Sequence, residues 1–366
     1  MSTFTPKERL LRVLRKEVVD RPPVICTGGM MNAAIIEVMQ STGLTLPEAH
    51  SDPVLMASLA QAVQDKTGFE NIGVPFCMTI EAELLGSQID LGTLACEPKI
   101  THETFPNVSQ VEFRDVSTLA HSGRMQVVVD AARRIAEAKP ELPLIASLTG
   151  PVSTAASIVD PMTFYKELRK NPDGAHRVLD YVTQVLTAFA ERLLIEGKVT
   201  AVAVGDPSAT GEILGPAMFE QYAVRYLNQL ADRVHALGAP FIVHICGDLK
   251  RVRHLLPTLH CDAISTDAMI SLAKLKADFP QLTTMGNLST FALQWGTPDK
   301  IATMARDLVD SGVDILSPAC GLSTSTTLQS IRAFTHTVKA AACSCEVCGG
   351  IATRALLEAL RANGAA

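Results

Sequence analysis

The sequence predicts an α/β fold: a single (β/α)8 TIM barrel with an N-terminal helical extension and an insertion after the second strand. Three observations lead there. Short apolar or β-branched runs recur near Pro23–Thr27, Glu70–Phe76, Leu142–Leu148, Val199–Gly205, Pro240–Cys246, Asp262–Thr266, Leu282–Gly286 and Val313–Ser317, giving eight candidate strands. Segments with helical spacing separate most of them. No linker rich in Gly, Ser or charge divides the 366 residues, a length that would otherwise suit two doubly wound domains.

In chain order, Thr5-Pro6-Lys7-Glu8 reads as a capping box with proline at the first helical position, opening a helix over roughly 6 to 16. The stretch from Cys77 to Glu141 is irregular for a barrel and is expected to hold the insertion, a hairpin plus a helix near Arg124–Lys139 that could form a lid. Leu179, Val182, Val185, Leu186, Phe189, Leu193 and Leu194 fall on one helical face, with Gly197 as the expected C-cap. Thr297-Pro298 introduces another helix through Ile301, Met304, Ala305 and Leu308, ended by Gly312. Residues 1–340 are thus expected to form one barrel domain, and 341–366 a tail carrying Cys343, Cys345 and Cys348. Such cysteine spacing suits zinc or a redox pair, but a fourth ligand is missing and the segment is peripheral.

Charge and composition narrow the partners. A formal net charge of −6 without a Lys/Arg block makes nucleic acid and anionic membrane poor partners, leaving small molecules or proteins. The N-terminus lacks the apolar core of a signal peptide and no run of about 18 uncharged apolar residues occurs, so a cytoplasmic location is expected. Nine scattered cysteines fit reduced thiols and metal ligation better than a disulfide framework. Walker, Gly-x-Ser-x-Gly and Gly-x-Gly-x-x-Gly motifs are missing, which removes the usual support for phosphate cradling, serine hydrolysis and dinucleotide binding.

The chemistry-bearing residues gather at one end of the expected barrel. In Phe241-Ile-Val-His-Ile-Cys246 the period of two sends His244 and Cys246 to the same face. Cys320 follows the last strand, and active sites of this fold lie at the C-terminal ends of the strands. His244, Cys246 and Cys320 would hold zinc with a fourth position open, the pattern of a catalytic rather than a structural site. The competing reading is buried cysteines and a satisfied core histidine. Asp206 after strand four, Glu83 after strand two and Asn287 after strand seven are candidate catalytic residues at the same face. Each also has a plain role as a turn, cap or solvated loop residue. Glu81 is an alternative to Glu83, and Asp248 is either a carboxylate orienting His244 or a helix cap. His254 and His260 are expected to be structural or exposed, and Cys26 and Cys77 to line the core or a pocket. Two thiolates and an imidazole make a soft shell, suited to holding a thiol as thiolate more than to activating water.

These residues bring a family into view. Thr5-Pro-Lys-Glu-Arg9, Asp20-Arg-Pro-Pro23, Pro47-Glu-Ala-His-Ser-Asp-Pro53, Pro75-Phe-Cys-Met-Thr-Ile-Glu-Ala-Glu83, Gly205-Asp-Pro-Ser-Ala-Thr210, His244-x-Cys246, Gly286-Asn287, Gly296-Thr-Pro298 and Pro318-Ala-Cys-Gly321 are the pieces that carry it. From about residue 5 to 340 the chain resembles the methylcobamide:coenzyme M methyltransferases of the uroporphyrinogen decarboxylase superfamily. The resemblance implies a TIM barrel with zinc on His244, Cys246 and Cys320. It implies transfer of a methyl group from methyl-Co(III), carried by a separate corrinoid protein, to the zinc-bound thiolate of coenzyme M, releasing Co(I). Cobalamin-independent methionine synthases are similar in their His-x-Cys pair and distant cysteine, so homocysteine or a folate are alternative acceptors. A docking subunit without turnover and a metal-free decarboxylase-like enzyme are the other readings. The decarboxylases carry an arginine-rich loop where this chain has Gly28-Gly-Met-Met-Asn-Ala33, and no basic residue for a sulfonate stands out.

Overall fold

The computed structural model describes residues 4–28 and 35–341; the cysteines of the tail lie outside them. The first helix spans Pro6–Leu14 and carries the expected capping box: Thr5 Oγ1 accepts from Glu8 N at 3.2 Å, and Glu8 Oε2 accepts from Thr5 N at 2.8 Å. It ends two residues early, because Lys16 turns to φ +61°. Among the described residues, no helix is long and apolar enough to cross a membrane.

The described residues form nine strands. They are β1 (Ile72–Val74), β2 (Gln88–Asp90), β3 (Lys99–His102), β4 (Leu144–Thr149), β5 (Ala201–Gly205), β6 (Phe241–Ile245), β7 (Ala263–Thr266), β8 (Thr284–Leu288) and β9 (Ile315–Pro318). Seven of them make one parallel sheet in the order β1-β4-β5-β6-β7-β8-β9, with helices between successive strands. These strands are buried almost throughout, as the sequence runs of Val, Ile, Leu and Ala require of a sheet covered on both faces. The first expected strand, Pro23–Thr27, does not form as such. Its place between the two sheet edges is held by one bridge, Val24 to Leu316 of β9, and by Glu70 N donating to Val24 O at 2.9 Å. Pro22 and Pro23 have no N–H with which to extend that pairing toward the N-terminus. Side chains supply the missing bonds. Glu70 Oε2 accepts from Val24 N at 3.0 Å, and the Asn71 amide accepts from Cys26 N and donates to Cys26 O, both at 2.8 Å.

The insertion after β1 contains the expected hairpin and helix. Strands β2 and β3 pair antiparallel, and a helix spans Gly123–Ala138. The helix at Pro172–Ile195 presents its apolar face as anticipated, but Gly197 is not its left-handed terminus; Lys198 takes that conformation at φ +55°.

Two apolar layers fix the level of the site. The larger lies between sheet and helices. The smaller, inside the sheet, is built from Ile25, Ile145, Ala203, Ile242, Met285 and Ile315 and is stoppered by Leu10, Val13 and Leu14 of the first helix. Two residues further along β6 from Ile242 stands His244, on the same face, and after it Cys246. Hydrocarbon therefore fills the N-terminal half of the sheet's interior and leaves the C-terminal half for polar groups.

Candidate metal centre

His244 stands near the C-terminal end of β6, where its partner in register on β7 is Ser265. The Ser265 hydroxyl lies 2.9 Å from His244 Nδ1, which turns Nε2 toward Cys246 Sγ at 3.0 Å. Cys320, two residues beyond β9, is positioned by Ala319 N donating to Leu288 O of β8 at 2.8 Å. Its sulfur stands 3.4 Å from that of Cys246. One ligand atom from each of the three residues lies within 4.8 Å of the others, with the imidazole buried and both cysteines partly open.

The donor set fits a thiophilic metal ion. With Nδ1 engaged by Ser265, the other ring nitrogen is free to coordinate, the arrangement that orients metal-binding histidines. The two sulfurs lie within hydrogen-bond reach of each other. That contact, and then His244, hold the Cys320 thiol well below its usual range, while the same contact, and then burial, hold Cys246 above its own. A divalent cation between them would satisfy both sulfurs as thiolates.

The other candidates lie around this centre with different partners. Asp206, fully buried, accepts from Val152 N (3.1 Å), Ser153 N (2.8 Å) and Ser153 Oγ (2.6 Å). It therefore caps the Pro151–Ile158 helix from the neighbouring strand, and burial pushes its carboxyl up to about 6. Gly150 permits the approach, since a Cβ there would run into the Asp206 carboxylate. Glu83 is ion-paired with Arg124, whose other nitrogens reach Cys77 Sγ at 3.3 Å and Thr79 Oγ1 at 3.0 Å. Glu81 is buried against Thr149, accepting from its N at 2.9 Å and its Oγ1 at 3.0 Å. Asn287 donates from Nδ2 to Asp267 O (2.8 Å) and Ile270 O (2.7 Å), clamping the turn after β7. Asp248 does not orient His244; it accepts from Lys250 N at 2.8 Å, and Ser265 holds the ring instead. Cys26 and Cys77 are buried as expected, and His254 and His260 are exposed, with His260 Nδ1 2.7 Å from Asp232.

Two residues at the centre escaped sequence reasoning. Ser265 is recognisable only once the β6–β7 register is known. Glu97, on the loop between β2 and β3, lies near enough to Cys320 for the two negative charges to act on each other, although nothing in its local pattern marks it.

Comparison with known proteins agrees with this architecture. Residues 5–341 match the uroporphyrinogen decarboxylase (URO-D) family. A methylcobamide:CoM methyltransferase, MtbA, from Methanosarcina acetivorans is 31% identical over 341 residues, covering 93% of this chain and 99% of that protein. The MtaA protein of Methanosarcina barkeri, also named as a methylcobamide:CoM methyltransferase, is 31% identical over 91% of this chain and 97% of its own length. A solved methyltransferase from Methanosarcina mazei superposes with a TM-score of 0.85 at 30% identity, covering 92% of this chain and 98% of its own. The chain thus belongs to the uroporphyrinogen decarboxylase family, with full-length relatives among its methylcobamide:CoM methyltransferases.

Proposed function

We propose that this protein is a zinc-dependent methyltransferase that moves a methyl group from a methylated corrinoid protein to a thiolate held at the His244, Cys246 and Cys320 centre. The observation that carries the reading is the convergence of these three side chains, from β6 and from the far end of β9, at the open end of the sheet. Residues 23–26 bridge β9 on one side and bond Glu70 and Asn71, just ahead of β1, on the other, which supports a closed (β/α)8 barrel spanning residues 1–340 as the scaffold. The relatives named above have CoM as acceptor, which makes coenzyme M the first thiol to test.

Zinc held by His244, Cys246 and Cys320 would supply a Lewis acid that favours the thiolate form of a bound thiol near neutral pH. The protein's own work is positional. Ser265 fixes the imidazole tautomer, Asn287 clamps the turn after β7 beside the centre, and Asp206 ties the end of β5 to the helix that follows β4. The acceptor sulfur then attacks the methyl carbon in line: the S–C bond forms as the Co–C bond breaks, and the electron pair leaves with cobalt as Co(I). The corrinoid enters on a separate protein, since the Asp-x-His-x-x-Gly motif that ligates its cobalt does not occur in this sequence.

The test is zinc per chain in anaerobically purified protein and in His244→Ala, Cys246→Ser and Cys320→Ser. About one zinc in the parent, lost from all three variants, is expected; thiol-dependent demethylation of methylcobalamin should follow the same pattern. A parent that takes up no zinc on reconstitution would overturn the reading in favour of a metal-free, decarboxylase-like enzyme. Zinc without demethylation would leave a docking subunit.

A further inference from the structure

The loop that follows β1 is held from two sides. Arg124, buried on the Gly123–Ala138 helix, donates to Cys77 Sγ at 3.3 Å and to Thr79 Oγ1 at 3.0 Å, the two residues that flank Met78. Thr79 Oγ1 in turn donates to Cys77 Sγ at 3.4 Å. From the other side Thr149, at the end of β4, donates from Oγ1 to Met78 O at 3.1 Å, while the buried Glu81 accepts from Thr149 N at 2.9 Å. The backbone of Met78 is thereby fixed against β4.

Its thioether reaches β5. A Cβ built on Gly205 would stand 3.3 Å from Met78 Cε and 3.8 Å from Met78 Sδ. Gly205 is the register partner of Thr149 on β4 and of His244 on β6. Ala203 and Ile242, two residues earlier on β5 and β6, belong to the inner apolar layer, so Gly205 and His244 face the interior as well. The His244 ring is drawn the other way, toward Ser265 on β7 and Cys246. The interior over β5, one strand spacing of about 4.8 Å from the strand of His244, is therefore left open by a glycine and filled by Met78. Both residues are partly exposed, which puts this contact at the mouth of the sheet's interior and not in a sealed core. A thioether offers a neighbour bulk and polarisability but little hydrogen bonding, so such a wall discriminates by size.

We propose that Met78 sets the size of the methyl acceptor: its thioether closes the β5 side of the centre, and the thiol it admits is a short one. This rests on the reading of the centre as a metal-bound thiol site.

Three neutral thiols that differ by one methylene at a time test it: 2-mercaptoethanol, 3-mercapto-1-propanol and 4-mercapto-1-butanol. Protein loaded with cobalt(II) in place of zinc reports the binding of each through the change in its thiolate-to-metal absorption band, without turnover. Metal content is measured alongside for the parent, Met78→Ala, Met78→Leu and Gly205→Ala. The parent should bind the shortest thiol most tightly. Met78→Ala should strengthen 4-mercapto-1-butanol about tenfold against 2-mercaptoethanol, and Met78→Leu, of similar volume, should stay within about twofold of the parent. Gly205→Ala, whose added methyl crowds Met78 Cε, should shift the ranking further toward the shortest thiol and should lose that effect in the Met78→Ala background. A Met78→Ala protein that holds its metal and keeps the parent's ranking, or a parent that binds the longest thiol best, would overturn the assignment while leaving the metal centre standing. If Met78→Ala does not hold metal, Gly205→Ala decides alone, and an unchanged ranking overturns the assignment. Bound cobalt that responds to none of the three thiols would remove the thiol reading and this inference with it.

Discussion

His50 gives the sharpest quantitative expectation for the scaffold. It sits in Pro47-Glu-Ala-His-Ser-Asp-Pro53, on a short turn before the Pro53–Thr67 helix, and is completely buried. The Phe76 ring lies edge-on to it at 6.5 Å, and neither ring nitrogen finds a hydrogen-bond partner among the described residues. Burial, followed by the positive charge of Arg124, pushes its pKa down to about 4 from 6.5. Unfolded chains take up the proton as pH falls through 6.5, whereas the folded protein resists until about 4. The stability that depends on a neutral His50 is therefore present above 6.5 and lost progressively on acidification toward 4. Each pH unit between those two values is worth about 1.36 kcal/mol, so the loss at pH 5 is about 2 kcal/mol, rising to about 3 kcal/mol below pH 4. His50→Leu removes the titration at similar volume. Any packing cost of the leucine applies equally at both pH values and cancels in the difference. Denaturant unfolding of parent and variant at pH 7.5 and 5.0 should show the parent losing about 2 kcal/mol more than His50→Leu over that interval. Equal losses would refute the argument that this ring is held neutral by its surroundings.

Two further expectations concern the centre. Ser265→Ala should reduce zinc affinity by about tenfold, read by competition with a chelator, because His244 loses the group that fixes its tautomer; unchanged affinity would mean the β6 backbone alone orients the ring. Asp206→Ala should destabilise the protein by about 3 kcal/mol in denaturant, since two buried backbone N–H groups and the Ser153 hydroxyl lose their acceptor. Normal stability with a lost reaction would instead mark Asp206 as chemical rather than architectural.

Much of this was legible in the chain because the signals were periodic. Leu142–Leu148 and Val199–Gly205 announce strands buried on both faces, and alternation along Phe241–Cys246 is enough to set His244 and Cys246 on one side. Cys320 follows from its place after an apolar run. What stayed hidden depends on pairing between distant segments. Asp206 reads equally well as a catalytic acid or a turn residue until the Pro151–Ile158 helix is seen to start beside it. Glu83 looks like an open loop carboxylate until Arg124, on a helix of the insertion, reaches it. The first strand was expected from Pro23–Thr27, yet two prolines cut its pairing short and no propensity shows that the Glu70 and Asn71 side chains will take the bonds of Val24 and Cys26. Glu97 belongs to a loop whose course is set by one tight glycine turn and a hydroxyl 229 residues away in sequence.

Backbone ladders are indifferent to sequence, since every residue except proline carries the same donor and acceptor. The junction between residues 23–26 and β1 is different, because part of its pairing is encoded in the side chains of Glu70 and Asn71. A single codon change can therefore loosen the sheet along this line and leave its other hydrogen bonds untouched. His244 and Cys246 hang from the middle of the sheet, three strands from β1 in the strand order. Evolution can thus re-tailor this edge of the sheet, residue by residue, without disturbing the strand that carries two of the three ligands.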